Sequence, residues 1–365
     1  MLILIFGIST FLFKEEIGYM MFKKSGFAIF LLIICKMVSG QQDPQFNHYL
    51  FNSLFYNPGY TAMEGLSRAT LIHRSQWLGY SPTNEADKGG EPHTQTLGLT
   101  YPLKLNGSSI YNSGVGLSIV NDQLGPQRNF GMTGSFAYNI KLSTGGTLGA
   151  GLGVGFWSQR IDWSLFRPAE DGDAVIDAGG NSTNTQFKPD VSLGVWYKTK
   201  KYEGGVSVRH LVPGSYDYGI DGNIDSKLVP HMYISGQYNI YTGTDLMISP
   251  NGQIYTDFSE LTWNLGALAS YRDMKYWGGL NFRQATSKTD GDDGFSIGQY
   301  DLIILLGTSL MKEKELRVGY SLGIVTSGGS AKSATSHELM LSYVLPVGKD
   351  DKKPPLRTPR YRHVN

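Results

Sequence analysis

The feature that most limits the fold of this chain is an alternation of apolar with polar or small residues, which recurs in roughly fourteen segments over residues 67–345. In one of these segments, Phe136 and Ile140 share one face, whereas Ala137 and Asn139 share the other. Because successive side chains of a β-strand point to opposite sides, one face can meet lipid while the other lines a polar interior. A soluble β-sandwich also alternates, so the connections have to decide between the two folds.

The connections between these segments alternate in length. Long gaps lie at residues 76–92, 161–187, 211–228 and 284–295, and tight gaps at residues 143–145, 199–201, 241–243, 272–274 and 312–313. Bacterial outer-membrane barrels have short periplasmic turns, longer extracellular loops and an even number of strands. We therefore predict an all-β fold, a transmembrane antiparallel β-barrel of about 14 strands over residues 67–346, located in the outer membrane with both termini periplasmic. The strands are predicted to start near Ser67, His93, Ser113, Asn129, Gly146, Lys188, Tyr202, Val229, Thr244, Glu260, Lys275, Ser296, Lys314 and Thr335.

Composition supports a barrel and excludes other classes. The 365 residues include 46 glycines and 22 tyrosines, whereas charged residues make up only 17%. Glycine suits tight turns and crowded strands, and tyrosine suits the aromatic girdles at the two membrane interfaces. The formal net charge of +1 gives no electrostatic attraction to nucleic acid. Mean hydropathy is -0.21, and the chain after its leader has no apolar stretch of about 18 residues, so no helical membrane span is expected.

Both ends of the chain differ from the barrel. Residues 1–40 have the basic flank, short apolar core and small residues of a secretory signal peptide, with cleavage expected after Gly40 and residues 1–19 as an upstream mis-called start. The single cysteine, Cys35, would be removed with the peptide, which leaves the mature chain without disulfides or thiol ligands. Residues 347–365 are rich in proline and basic residues, and we expect a flexible periplasmic tail that serves as a spacer or as a basic docking arm.

Residues 41–66 interrupt the strand pattern. Asp43 and Pro44 suit the cap and the first turn of a helix, and apolar residues then recur at helical spacing until Pro58. The apolar face of this predicted helix has to be covered. It is expected to plug the barrel lumen, to contact a periplasmic partner, or to seal the base of the barrel.

Charged residues within the predicted strands are expected to face the lumen, because a charge directed at lipid near the midplane costs about 2 to 4 kcal/mol. These residues are Arg74, Arg209, Arg283, Arg317, Asp190, Asp301 and Glu338. His231 with Ser235, or His210 with Asp190, would be a candidate hydrolase dyad, but histidines on a lumen face are more often polar lining. No catalytic residue is therefore predicted.

Two stretches resemble ligand-binding loops. The alternating glycines of residues 149–155 lack a following helix, so crowding against an internal plug or a curved wall is favoured over nucleotide binding. Residues 217–225 and 290–294 place carboxylates close together, as calcium loops do, but lack the bidentate glutamate of such loops. Solvated loops are favoured, so no metal and no other cofactor is expected, with Ca²⁺ in these loops as the minor alternative.

The sequence ahead of the first strand resembles a known family. Residues 42–52, QDPQFNHYLFN, and residues 56–60, YNPGY, are similar to the mature amino terminus of the PorP/SprF family, outer-membrane proteins of type IX secretion in Bacteroidota. His48, Gly59 and the tail beyond Leu345 depart from the family pattern. The residues that match its motifs are Asp43, Pro44, Gln45, Phe46, Tyr49, Phe51, Asn52, Asn57, Pro58, Arg74, Gln76, Trp77, His337 and Glu338.

This resemblance implies a non-enzymatic role in protein transport. Family members support the export and surface anchoring of an adhesin with a type-B carboxy-terminal domain, as in gliding motility, or act as core components coupled to the periplasmic motor ring. A passive porin is the alternative from another class. For such a partner, the sequence itself offers long outer loops rich in Asp, Gly, Asn and Tyr, in which tyrosines supply contact area and polar groups supply orientation. The candidate contact residues are Asp171, Asp173, Asn181, Tyr216, Tyr218, Asp221 and Asp225.

Overall fold

A computed structural model describes most of the chain after residue 42. The described residues are 43–78, 92–105, 112–143, 145–165, 183–217, 225–288, 295–311, 315–327 and 335–345. The described strands are β1 (Arg68–Ser75), β2 (His93–Leu103), β3 (Ser113–Leu124), β4 (Gln127–Lys141), β5 (Thr147–Asp162), β6 (Thr183–Lys198), β7 (Tyr202–Arg209), β8 (Gly214–Asp217), β9 (Asp225–Leu228), β10 (His231–Tyr238), β11 (Ile240–Thr242), β12 (Leu246–Thr256), β13 (Glu260–Tyr271), β14 (Tyr276–Lys288), β15 (Phe295–Leu310), β16 (Leu316–Ser327) and β17 (Ser336–Val344). No helix within the described residues is long and apolar enough to cross a membrane.

The strands form a closed antiparallel barrel. Apart from β8, β9 and β11, the strands pair with their neighbours in sequence order; β1 pairs with both β2 and β17, and β10 pairs with both β7 and β12. The short strand β11 continues β10 along β12, so the wall consists of fourteen crossing strands. The predicted barrel and its strand number are confirmed.

Most predicted strand starts agree with the structure to within two residues. The exception is β6, which starts at Thr183 rather than near Lys188. Its first residues are polar and do not show the alternation, but they pair with β5 as far as Asp162. Strands β8 and β9 pair only with each other, as a hairpin inside a connection that was predicted to be a loop.

The two ends of the barrel differ. We call the end that carries the long connections the loop end, and the opposite end, where residues 142–146, 199–201 and 243–245 turn, the turn end. Odd members of the wall, such as β1 and β7, run towards the loop end. The last strand, β17, therefore finishes at the turn end.

The outward face of the wall is apolar and carries aromatic residues near both ends. In β4, Phe136 and Ile140 are exposed, whereas Ala137 and Asn139 between them are buried, as the alternation predicts. Towards the loop end, the rings of Phe130, Phe156 and Phe187 follow one another on adjacent strands with centroid distances of 5.9 and 5.7 Å. Exposed tyrosines mark the turn end, namely Tyr138, Tyr202, Tyr238, Tyr241, Tyr271 and Tyr276. Two aromatic belts around an apolar band are the outer surface that lipid requires.

Residues 43–66 lie inside the barrel, and we call them the plug. The plug is not the single helix that was predicted: residues 43–48 are irregular and are followed by a 3-10 turn (Tyr49–Phe51), a one-turn helix α1 (Ser53–Tyr56) and a second 3-10 turn (Pro58–Tyr60). The lumen wall surrounds the plug on every side, so its side chains have to reach in all directions. A continuous amphipathic helix, with one apolar and one polar face, would not provide this.

Candidate functional site

The plug descends through the lumen from the loop end to the turn end. Asp43 bonds Arg209, the last residue of β7, at the loop end. Asn57 contacts β6 and β7 lower in the wall, and Glu64 pairs with Arg68, the first residue of β1, at 2.8 Å. The plug and β1 therefore run in opposite directions, with the reversal at the turn end.

Asp43 is held by three side chains of the wall. One carboxylate oxygen accepts hydrogen bonds from Arg209 and from the hydroxyl of Tyr233, the latter at 2.6 Å, and the other lies 2.9 Å from Nε2 of His210. Asp43 is buried, and the guanidinium of Arg209 and the ring of His210 compensate the charge of its carboxylate. Asp43 is thus an ionised anchor of the wall and not the predicted helix cap.

Glu338 of β17 binds the next part of the plug. Its carboxylate accepts the backbone N–H groups of Asn47 and His48, both at 2.8 Å, and lies 2.6 Å from Nδ1 of His48. The side chain of Glu338 is only 1% exposed, so these bonds replace its lost hydration. A charged group of the wall therefore fixes the backbone of the plug directly.

Two arginines satisfy the carbonyl groups that precede this point. Arg74 of β1 donates to the carbonyl oxygen of Gln45, and Arg283 of β14 donates to that of Phe46 at 2.9 Å. Arg283 also donates to Oδ1 of Asn264 at 2.7 Å. The irregular start of the plug thereby obtains from the wall the hydrogen bonds that a helix would have supplied internally.

A strip of glycines on β5 and β6 receives the middle of the plug. A Cβ atom at Gly151 would lie 2.2 Å from the carbonyl oxygen of Pro58, and one at Gly194 would lie 2.1 Å from Oδ1 of Asn57. Asn57 donates to the carbonyl oxygens of Val195 and Val206, at 3.1 and 3.2 Å. Crowding was predicted against an internal plug or a curved wall, and both occur: Gly149 and Gly151 meet the plug, whereas Gly153 and Gly155 meet atoms of the neighbouring strands.

We expect Gly151→Ala to destabilise the protein by about 1–3 kcal/mol, because the added methyl group meets plug backbone that cannot rotate away. The measurement is the denaturant dependence of tryptophan fluorescence in detergent micelles. Gly98→Ala is the matched control, since its Cβ would lie at an ordinary 3.6 Å from Leu54, and a slight stabilisation of about 0.4–1 kcal/mol is expected there. Equal effects of the two substitutions would contradict the close approach.

Aromatic packing fills the space around the plug. Phe46 contacts Phe55 at 5.4 Å between ring centroids, and Tyr56 contacts Tyr233 of β10 at 5.1 Å. The guanidinium of Arg209 lies over the Phe55 ring at 4.1 Å. These rings belong to the principal buried cluster of the protein, so the plug is part of the core.

Most residues of the family motif meet in this one site. Asp43, Phe46, Tyr49, Asn52, Asn57, Pro58, Arg74 and Glu338 are buried between plug and wall, and Pro44, Gln45 and Phe51 belong to the same segment. Gln76, Trp77 and His337 lie instead at the loop end of β1 and β17, where the backbone N–H of Gln76 donates to Pro92 and a ring nitrogen of His337 lies 2.5 Å from the Tyr320 hydroxyl. Most residues of the motif therefore hold the plug in the lumen.

The charged strand residues face inward, as predicted. Arg74, Arg209, Arg283, Asp190, Asp301 and Glu338 are buried, and Arg317 is half-buried. Asp301 lies 3.8 Å from Arg283. Four of the seven, namely Arg74, Arg209, Arg283 and Glu338, bind the plug.

The predicted partner-contact loops are mostly outside the described residues. This applies to Asp171, Asp173, Asn181, Tyr218 and Asp221, and to residues 290–294 of the proposed calcium loops. Asp225 begins β9. Tyr216 of β8 is fully buried, with Lys188 5.7 Å from its ring centroid, and its ring therefore offers no surface to a partner.

The structure also brings together residues that the sequence did not connect. His210 does pair with Asp190, at 3.0 Å, but its second ring nitrogen faces Asp43 rather than a nucleophilic hydroxyl. His231, at the start of β10, lies beside the same group with ring centroids 5.5 Å from His210. Asp43 precedes His210 by 167 residues in sequence, so no local spacing signals this cluster.

One protein family and several solved structures are similar to this chain. The family described as "Type IX secretion system membrane protein PorP/SprF" matches residues 38–343. Among solved structures, the chain is similar to a Pseudomonas aeruginosa FadL homologue, with 15% identity, a TM-score of 0.46 and coverage of 84% of this chain and 96% of that one. It is also similar to the Ralstonia pickettii toluene transporter TbuX, with 12% identity, a TM-score of 0.48 and coverage of 80% and 93%. No curated protein sequence matches the chain significantly.

Proposed function

The chain belongs to the PorP/SprF family of type IX secretion system membrane proteins, and from this premise we propose that it anchors a secreted surface protein at the outer membrane. The partner would be an adhesin with a type-B carboxy-terminal domain, exported by the same system. The observation that carries the proposal is the filled lumen. A barrel occupied by its own chain is suited to holding a partner at its rim rather than to conducting solutes.

The plug contacts strands around the whole wall. The contacted strands are β1, β3, β4, β5, β6, β7, β10, β12, β14, β16 and β17. Buried charges fix the first part of the plug, and close backbone contacts fix its middle. Displacement of the plug would therefore leave several buried polar and charged groups without partners at once. This argues against the passive porin, which requires a lasting aqueous path.

Orientation follows from the two ends of the barrel. With the loop end outside, as in bacterial barrels, β17 finishes on the periplasmic side. Asp43, the first described residue of the plug, lies near the loop end, so we propose that the plug begins at the outer end of the lumen. The loop end is then the face available to a surface protein, and the turn end is the face available to the motor ring.

The test is copurification from native outer membranes with the intact barrel as bait. We expect one surface protein with a type-B carboxy-terminal domain in stoichiometric amount, and loss of its surface retention when residues 171–181 at the loop end are deleted. Lys200→Gly, in a tight connection at the turn end, is the matched control and should leave retention unchanged. Copurification of motor-ring proteins alone would instead support the core-component alternative.

A further inference from the structure

Three buried side chains at the loop end converge on one point. Asp43 of the plug, His210 after β7 and His231 of β10 each place a ligand-type atom within 4.8 Å of the others. All three side chains are almost completely buried, at 3%, 1% and 2% exposure. Two imidazoles and one carboxylate form a donor set that divalent transition metals prefer.

The outer contacts of these residues orient them towards the shared point. Nδ1 of His210 lies 3.0 Å from a carboxylate oxygen of Asp190, and Nδ1 of His231 lies 2.9 Å from the carbonyl oxygen of Val229. Metal-binding histidines usually donate the N–H that faces away from the metal to a carboxylate or a carbonyl in this way. Both Nε2 atoms then face the shared point, that of His210 beside Asp43 and that of His231 without a hydrogen-bond partner among the described residues.

An unpartnered atom gives independent support. Nε2 of His231 is buried and has no hydrogen-bond partner in the described part of the chain. A buried nitrogen without a partner costs about 1–3 kcal/mol. Nε2 of His210 lies 2.9 Å from Oδ1 of Asp43, which is near the separation of about 3.3 Å between two ligands of a tetrahedral zinc ion. A cation between these atoms would satisfy all three ligands.

We propose that Asp43, His210 and His231 bind one Zn²⁺ ion, which ties the amino end of the plug to the ends of β7 and β10. Asp43 and Asp190 supply two negative charges beside the ion, while Arg209 and Tyr233 keep the second oxygen of Asp43 and direct its first oxygen to the site. Without metal, His210 needs two ring protons to bond both carboxylates. Binding releases the proton on Nε2, so the ion takes the place of that proton. The proposal is independent of the anchoring function.

The test is metal analysis of the purified full-length barrel after loading with Zn²⁺ and removal of free metal. We expect one zinc ion per chain, and a visible absorption spectrum of tetrahedral type when Co²⁺ replaces it. His231→Gln should reduce retained metal at least about tenfold. The matched control is His73→Gln, an exposed histidine of β1, which should retain one ion.

Folding is checked by the heat-dependent shift in electrophoretic mobility that intact barrels show. Asp43→Asn is the second variant, since it keeps the shape of the side chain and also should lose the ion. Substoichiometric zinc in the folded wild-type protein would overturn the proposal, as would equal retention by the folded His231→Gln variant. In those cases no ion is bound, and a proton on His210 joins its ring to Asp43 instead.

Discussion

Deletion of residues 43–60 is expected to turn a closed barrel into a conducting one. These residues fill the lumen from the loop end to the glycine strip of β5 and β6. The wall that remains has fourteen strands. Barrels of about eight strands fill the lumen with their own inward side chains, whereas porins of 16–18 strands leave an aqueous channel, and this wall is closer to the porins. Removal of the plug therefore leaves a water-filled path lined by the polar inward faces of the strands.

The measurement is current through planar lipid bilayers with the purified proteins at equal insertion. The wild-type barrel should give no steady channels, whereas the deletion variant should give discrete, long-lived openings. Because Cys35 is the only cysteine and lies in the predicted signal peptide, a double variant Thr61→Cys/Ser135→Cys provides a matched control. The two native hydroxyls lie 2.9 Å apart, so the new thiols should cross-link the plug to β4 and keep the barrel closed.

Steady wild-type conductance equal to that of the deletion variant would contradict the filled lumen. If the deletion variant does not assemble, the cross-link alone tests whether the plug occupies the lumen. Thr61→Cys should form a disulfide with Ser135→Cys but not with Leu152→Cys, whose side chain points outward from β5. Failure of the first pair to cross-link in the folded protein would place the plug elsewhere.

Glu338→Ala is expected to cause the largest loss of stability of any single substitution considered, about 3–5 kcal/mol. The substitution removes the acceptor of two plug N–H groups and of the His48 ring, and leaves them buried. It also removes the carboxylate that lies opposite Arg74 across the β1–β17 pair. The readout is the midpoint of denaturant-induced unfolding, together with the rate of proteolysis within residues 43–60.

The control for this substitution is Glu203→Ala near the turn end. Glu203 also forms an ion pair, with Lys198 at 2.7 Å, but the lysine side chain is 31% exposed. Water can replace part of the lost interaction there, so a loss of about 1 kcal/mol or less is expected. Glu338→Gln should fall between the two, since it keeps one acceptor oxygen. An effect of Glu338→Ala no larger than that of Glu203→Ala would show that the plug does not depend on this anchor.

The fold was accessible from the sequence because its determinants are local. The alternation around Phe136 reports which side of a strand faces lipid, and the gap lengths report which end of the barrel a connection occupies. Hairpin β8–β9 was missed because its two strands are only four residues each and lie in a polar connection. Strand length, and not alternation, limited that prediction.

The site was only partly accessible, since its contacts join distant parts of the chain. The glycines around Gly151 indicated a plug, because a strand without side chains needs something to fill the space beside it. The prediction of a helix after Asp43 was wrong. The spacing of apolar residues does not reveal that the surrounding wall supplies the hydrogen bonds of the plug backbone. Arg74, Arg283 and Glu338 replace the helical bonds, and no local pattern pairs them with Gln45, Phe46 and Asn47.

The position of Arg74 and Glu338 has a consequence for assembly. They are direct neighbours across the β1–β17 pair, where the first strand meets the last and the wall closes. The same two side chains bind Gln45 and Asn47 of the plug. The final zipping of the wall and the seating of the plug therefore strengthen each other. A wall that closed over an empty lumen would leave both of these side chains without their plug partners, so closure of the barrel favours an occupied lumen.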